Sequence, residues 1–242
     1  MDPYPKLNKL SPSAPSDAAA ASSWPTVADD CIQNLPVQDN GEPLVALVTE
    51  ASGQLLLDES PQNVAHLGYV PDFRLREGAA QRLAAVAASL PTGTRLLVKE
   101  AYRPLAIQHR YFDRYLAKLR GLHPDMDAAA LRLLAARFIA PPDCATHVTG
   151  GAVDATLADA QGRELDMGTA YDASPEVSQN RCFTGAEDIP VAARALRHCL
   201  VEAMQSQGFV NYPYEWWHWS FGDKYWVGLA NQISRCHRTT FG

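Results

Sequence analysis

Four residues in two short stretches have the types and spacing for metal-assisted hydrolysis. In "THVTGGAVDATL" His147 and Asp154 stand seven residues apart around Gly150-Gly151, and in "EWWHWS" Glu215 precedes His218 by three. Glycine tolerates backbone angles closed to other residues, so a two-glycine bend lets a histidine on a loop converge with an aspartate on the following strand. Neutral imidazole nitrogen and carboxylate oxygen suit zinc, and a catalytic zinc takes three protein ligands with one position left for water. His147, Asp154 and His218 are therefore the expected ligands of one zinc per chain. Glu215 is not needed to complete that set. Beside an activated water it has the chemistry of a general base, taking a proton as the water attacks a carbonyl and returning it to the leaving amine. Trp216, Trp217 and Trp219 would lower the local dielectric and raise the glutamate's pKa. Arg103 in "KEAYRP" adds a permanent cation that can donate to the oxyanion formed on the amide. A structural ion pair with Glu100 is the competing reading of Arg103.

The elements that must hold these groups follow from periodicity. Ala79, Leu83, Val86 and Leu90 form one helical stripe that stops before Pro91, and "TRLLVKEAY" after it reads as a strand. "LAIQHRYFDRYLAKLRG" places Leu105, Phe112, Leu116 and Leu119 on one helical face with Gly121 as its cap, and "DAAALRLLAARFI" reads as another helix. In "GGAVDATLADAQGRELDMG" Ala152, Asp154 and Thr156 alternate with Val153, Ala155 and Leu157, a strand that turns at Ala160-Gln161-Gly162 into a hairpin with a second strand. "PLVALVTE" and "GQLLLDES" around Ala51-Ser52-Gly53 predict a hairpin. Asp188 and Pro190 start a helix ending at Gly208, and "FVNYPYEWWHWSFGDKYWVG" reads as strand-rich. A regular strand would send Glu215 and His218 to opposite faces, so a bend or bulge near Trp216 is expected.

Helices mixed with short strands, without regular βαβ alternation, indicate an α+β fold: a small antiparallel sheet with helices packed on it. Residues 1–25, rich in Pro, Ser and Ala, read as a flexible tail and 26–242 as one domain. The net charge of −6 and the lack of a basic run give no footprint for nucleic acid or an anionic membrane. No stretch is apolar enough for a membrane span, and the opening residues lack a signal-peptide pattern, so the cytoplasm is the expected location. Five widely spaced cysteines without a CxxC read as reduced thiols, Cys144 by the metal motif being a small buried residue rather than a reactive one.

"KEAYRP", "THVTGGAVDATL", "LDMGTAYD" and "EWWHWS", in that order over about residues 60 to 230, resemble the D-alanyl-D-alanine dipeptidases of the VanX type. These zinc enzymes share a metal site with D,D-carboxypeptidases and the hedgehog fold. The resemblance implies the same roles for His147, Asp154, His218, Glu215 and Arg103, and adds Asp172 as the carboxylate for the dipeptide's free ammonium group. A turn residue before Ser174-Pro175 is the plainer reading of Asp172. The family often has a serine two residues before the first histidine, where Ala145 stands here. The implied activity is hydrolysis of D-Ala-D-Ala or a close analogue. The alternatives are a D,D-carboxypeptidase or endopeptidase on longer cell-wall peptides, and a non-catalytic zinc-stabilised binding module. The expected partner is a small dipeptide, and a homo-oligomer is left open.

Overall fold

The computed structural model describes residues 24–49 and 53–229. Its centre is a five-stranded sheet in the order β2-β4-β5-β7-β6, made of β2 (Leu55–Leu57), β4 (Thr94–Glu100), β5 (Ala152–Asp159), β6 (Val210–Asn211) and β7 (His218–Ser220). All neighbours run antiparallel except β2, which lies parallel to β4. β1 (Leu44–Ala46) and β3 (Arg74–Arg76) make a separate two-stranded sheet.

The expected hairpin between "PLVALVTE" and "GQLLLDES" does not form, because its two halves join different sheets. Leu47 and Leu55, from the two runs, both enter the core cluster that contains Leu75, Leu83 and Val86. Burial against one helix outweighs the local turn preference. That helix is α3 (Glu77–Ser89), preceded by α1 (Asp30–Gln33) and α2 (Pro61–Leu67). The stripe Ala79, Leu83, Val86 and Leu90 is buried as its spacing predicts. With α7 (Val191–Ser206), which follows the short α6 (Pro175–Ser178), α3 covers the sheet face presented by Leu96, Val98, Val153, Ala155, Leu157 and Trp219.

Three further expectations are corrected. Helix α4 (Leu105–Leu122) continues through Gly121, and Leu105 is exposed; its buried stripe is Gln108, Phe112, Tyr115 and Leu119, facing α5 (Ala128–Ala135). The turn after β5 returns for a single bridge, Ala158 to Glu164, rather than a second strand. "KYWVG" is helical, its first turn capped by Asp223 Oδ1, which accepts from Trp226 N at 2.9 Å. The expected tail falls on undescribed residues up to position 23, while Pro25 is buried and Trp24 partly so. Cys236 lies outside the described residues, Cys31 is exposed, and Cys144, Cys182 and Cys199 are free thiols. Burial pushes the Cys144 thiol up to about 12, which leaves it unreactive. Among the described residues no helix is long and apolar enough to cross a membrane.

Candidate metal centre and active-site cleft

The sheet face opposite α3 and α7 carries the candidate site. Strand alternation puts Asp154 on that face, and antiparallel register sets His218 of β7 directly opposite it. His147 opens a 3₁₀ turn, His147–Thr149, that ends at Gly150 with φ 74°. A Cβ on Gly150 would lie 2.2 Å from Leu44 Cδ2, and one on Gly151 would lie 2.6 Å from the Phe221 carbonyl oxygen, so the bend requires both glycines.

The three side chains converge and are buried, with one ligand atom from each lying within 4.8 Å of the others. His147 Nε2 is 3.1 Å from His218 Nδ1 and 3.2 Å from Asp154 Oδ1, while His218 Nδ1 is 3.0 Å from the same oxygen. Tetrahedral zinc with bonds of about 2.0–2.2 Å separates its ligand atoms by about 3.3 Å, so the triangle has the right size. The outer atoms agree. His147 Nδ1 sits 2.7 Å from the Ala101 carbonyl and His218 Nε2 sits 3.2 Å from Thr146 Oγ1. The carbonyl can only accept, so His147 Nδ1 donates and the Nε2 lone pair is aimed inward; the Thr146 hydroxyl can accept from His218 Nε2, which would free Nδ1 in the same way. Tyr171 donates to Asp154 Oδ2 at 3.0 Å, which leaves Oδ1 for an ion. Burial lowers the pKa of His218. For His147 burial, the largest single influence, acts in the same direction, but the charge and hydrogen bond of Asp154 and the charge of Glu100 together raise the pKa. The donor set therefore fits zinc in number, type and spacing.

Glu215 lines the same cavity and is 7% exposed. Two tight turns between Tyr212 and Trp217, with Glu215 N donating to Tyr212 O at 2.9 Å, supply the expected bend and keep Glu215 off the strand that carries His218. Burial first, then the charges of Asp154 and Asp172, push its carboxyl well above the ordinary glutamate range. A divalent cation between the three ligands opposes that shift.

Arg103 reaches the cavity from the end of β4. A register shift between Val98 and Glu100 sets Glu100 opposite Asp154, turning it onto the cleft face. Arg103 Nε donates to Glu100 Oε1 at 2.7 Å and Nη2 to Oε2 at 2.5 Å, while Nη1 donates to Gln108 Oε1 at 2.8 Å. Tyr69 donates to Glu100 as well. The structural ion pair and an electrophilic role are thus compatible, since a guanidinium has five N–H groups and three are used.

Asp172 lines the cavity on the side of Tyr171 and Trp217, with φ 57° and Oδ2 3.0 Å from His66 Nε2. His66, on α2, has no local motif and lies 106 residues away, so nothing in the sequence signals the pair. The hydrogen bond to Asp172 raises the histidine's pKa. Thr146 likewise carries no signal in the sequence pattern. Glu100 is found where the ion-pair reading of Arg103 expects it, and Gln108 leaves a trace as the polar residue on the true stripe of α4.

A family profile described as "D-ala-D-ala dipeptidase" matches residues 75–239. The chain belongs to the D-Ala-D-Ala dipeptidase family. A D-alanyl-D-alanine dipeptidase of Synechocystis sp. is 30% identical over 226 residues, 84% of this chain and 92% of that protein. One from Enterococcus faecalis is 30% identical over 139 residues, 54% and 64% of the two chains. A solved structure described as "VanYB in complex with D-Alanine-D-Alanine" shares 19% identity, with a TM-score of 0.36, over 82% of this chain and 87% of that one. Membership of this dipeptidase family makes the protein a metallopeptidase and sets aside the non-catalytic binding module.

The dipeptidase-family segment "LDMGTAYD" has a clear physical role here. Gly168, at φ 88°, packs against Ile189, where a Cβ would come within 2.9 Å. Trp216 Nε1 donates to Thr169 Oγ1 at 2.9 Å, and Tyr171 reaches Asp154. Arg197 of α7 anchors the segment by donating to the carbonyls of Met167, Phe183 and Arg181 at 2.7, 2.7 and 2.9 Å. The cleft it borders has two chambers. The inner one, of about 40 Å³, holds the candidate ligands, Glu215 and Ala145. The outer one, of about 330 Å³, is lined by His66, Tyr111, Arg114, Lys118 and Ser174 and shares Arg103 and Asp172 with the inner one.

Proposed function

We propose that the protein is a zinc-dependent dipeptidase that hydrolyses D-Ala-D-Ala or a closely related small dipeptide, with one zinc per chain, in the cytoplasm. The observation that carries this reading is the buried triangle of His147, Asp154 and His218 with Glu215 in the same cavity. Relatives named D-alanyl-D-alanine dipeptidases support the substrate.

His147 through Nε2, His218 through Nδ1 and Asp154 through Oδ1 would hold the zinc. When bound, zinc supplies Lewis-acid polarisation of the scissile carbonyl and makes water acidic enough to attack at neutral pH. Glu215 takes the proton from the attacking water and passes it to the amine nitrogen as the C–N bond breaks. The N–H groups of Arg103 not engaged by Glu100 and Gln108 donate to the developing oxyanion, and because the guanidinium is already held, it does not reorganise as charge develops. Asp172 accepts from the substrate ammonium, with His66 holding its other face. Purified protein should carry about one zinc and release D-alanine from D-Ala-D-Ala. Zinc-loaded protein inert on a panel of D,D- and L,D-dipeptides would refute the reading.

One observation favours a second reading, a peptidase acting on longer cell-wall peptides. The outer chamber gives room beyond a dipeptide, where Asp172 already has a hydrogen-bond partner in His66. Comparing a free dipeptide with its N-acetylated form separates the two: loss of turnover on acetylation supports the dipeptidase, retention the longer substrate.

A further inference from the structure

The inner chamber is closed on the side away from the outer one by a residue far from every motif. Val27, 4% exposed, lines it together with Ala140, Ala145 and Tyr212, none of which borders the outer chamber. The polar groups on this wall are already engaged: Tyr212 donates to Ala136 O at 2.8 Å, Gln108 Nε2 to Ala140 O at 2.7 Å, and Thr146 Oγ1 faces His218. What remains is an apolar end to a chamber of about 40 Å³, room for about three groups the size of a water molecule at about 10–15 Å³ each, so that beside an attacking water and the scissile carbonyl a methyl is the largest group that fits.

Val27 is held there by the segment that follows Trp24. Tyr214 donates to the Trp24 carbonyl at 2.8 Å, and Thr26 N donates to Asp29 Oδ2 at 2.9 Å. Lys224 Nζ donates to Gln33 O at 3.0 Å. Ile32 is fully buried against Gly228, where a Cβ would lie 2.1 Å from its Cδ1. Val27 also packs in one apolar cluster with Cys144, Ala136 and Tyr212. A wall fixed at four points does not yield to a larger substrate.

We propose that Val27 is a specificity-determining residue: with Ala145 it closes the inner end of the cleft and restricts the substrate residue lodged there to a side chain no larger than a methyl. This rests on the dipeptidase reading and names the device that selects its substrate class. A pocket that rejects one added methylene discriminates by about 10- to 200-fold. In the zinc-loaded full chain, kcat/KM is measured for D,D-dipeptides in which each residue in turn is alanine, 2-aminobutyrate, valine or leucine. The wild type should fall steeply beyond alanine at one of the two positions. Val27→Ala should raise the 2-aminobutyrate-to-alanine ratio at that position by about 10-fold or more. Val27→Phe should lower kcat/KM for D-Ala-D-Ala by about 100-fold and weaken calorimetric binding of a phosphinate analogue, with zinc content unchanged. Ratios unmoved by Val27→Ala at both positions would overturn the inference even if Val27→Phe failed to fold. Wild-type protein inert on every dipeptide would instead overturn the functional reading beneath it.

Discussion

The inner wall and the mouth of the cleft are built by different means. At the inner wall, Asp154 and His218 project from paired strands, so their separation is fixed by β-ladder register, and His147 is clamped by a carbonyl at the end of β4. At the mouth, Asp172 and His66 come from a connecting segment and a short helix, with side chains 40% and 42% exposed and one hydrogen bond between them. Two of the three candidate ion ligands stand on the sheet, and the third is held against it from a 3₁₀ turn. The groups at the mouth stand on a loop and a short helix.

That contrast is broken most severely at the triangle. Asp154→Ala should abolish zinc retention and turnover together, read by metal analysis and D-alanine release. Glu215→Gln should keep the zinc and lower kcat by about 10²–10⁴-fold, separating the base from the ligands. Arg103→Lys keeps a charge but loses the planar fork held by Glu100 and Gln108; kcat should fall by about 10²-fold with KM little changed. At the mouth, His66→Ala should raise KM about 10-fold, equivalent to about 1.4 kcal/mol, while kcat and zinc content hold. If His66→Ala instead lost zinc, the division between wall and mouth would fail.

The smallest effect on turnover, and the one visible in stability, concerns Asp223. Burial raises its pKa to about 6. Unfolded it titrates near 3.9, so between about pH 4 and 6 the folded chain holds the proton more tightly. Stability therefore falls as pH rises through that window, by about 3 kcal/mol, and stays lower above it. Asp223→Asn cannot ionise and keeps an acceptor for Trp226 N, so the Tm difference, variant minus wild type, should grow between pH 4 and 7. A constant difference would show that the carboxyl titrates normally.

The contrast also marks what the sequence reveals. The β5 alternation and the stripe of α3 are local periodicities, and the structure keeps them. The triangle's members are close in space because Asp154 and His218 sit on paired strands, and their convergence was expected from residue type. What escapes is non-local. The 44–46 and 55–57 runs look like neighbours, yet each finds a partner elsewhere. His66 meets Asp172, and Val27 comes to line the same cavity as Ala145, only through tertiary packing. "KYWVG" misleads for another reason: its aromatic residues favour strands, but an aspartate cap starts a helix there.

The order of the sheet has a consequence for how the chain is made. β7, the last strand in the described chain, does not lie at the edge; it fits between β5 and β6. During synthesis the hydrogen-bonding edge of β5 and its buried-to-be aspartate stay open until residues near 220 have left the ribosome. An uncovered strand edge is a template for pairing with other chains. The sheet therefore closes only after β7 has been made, and the interval before β7 docks is when the chain is most exposed to pairing with other chains.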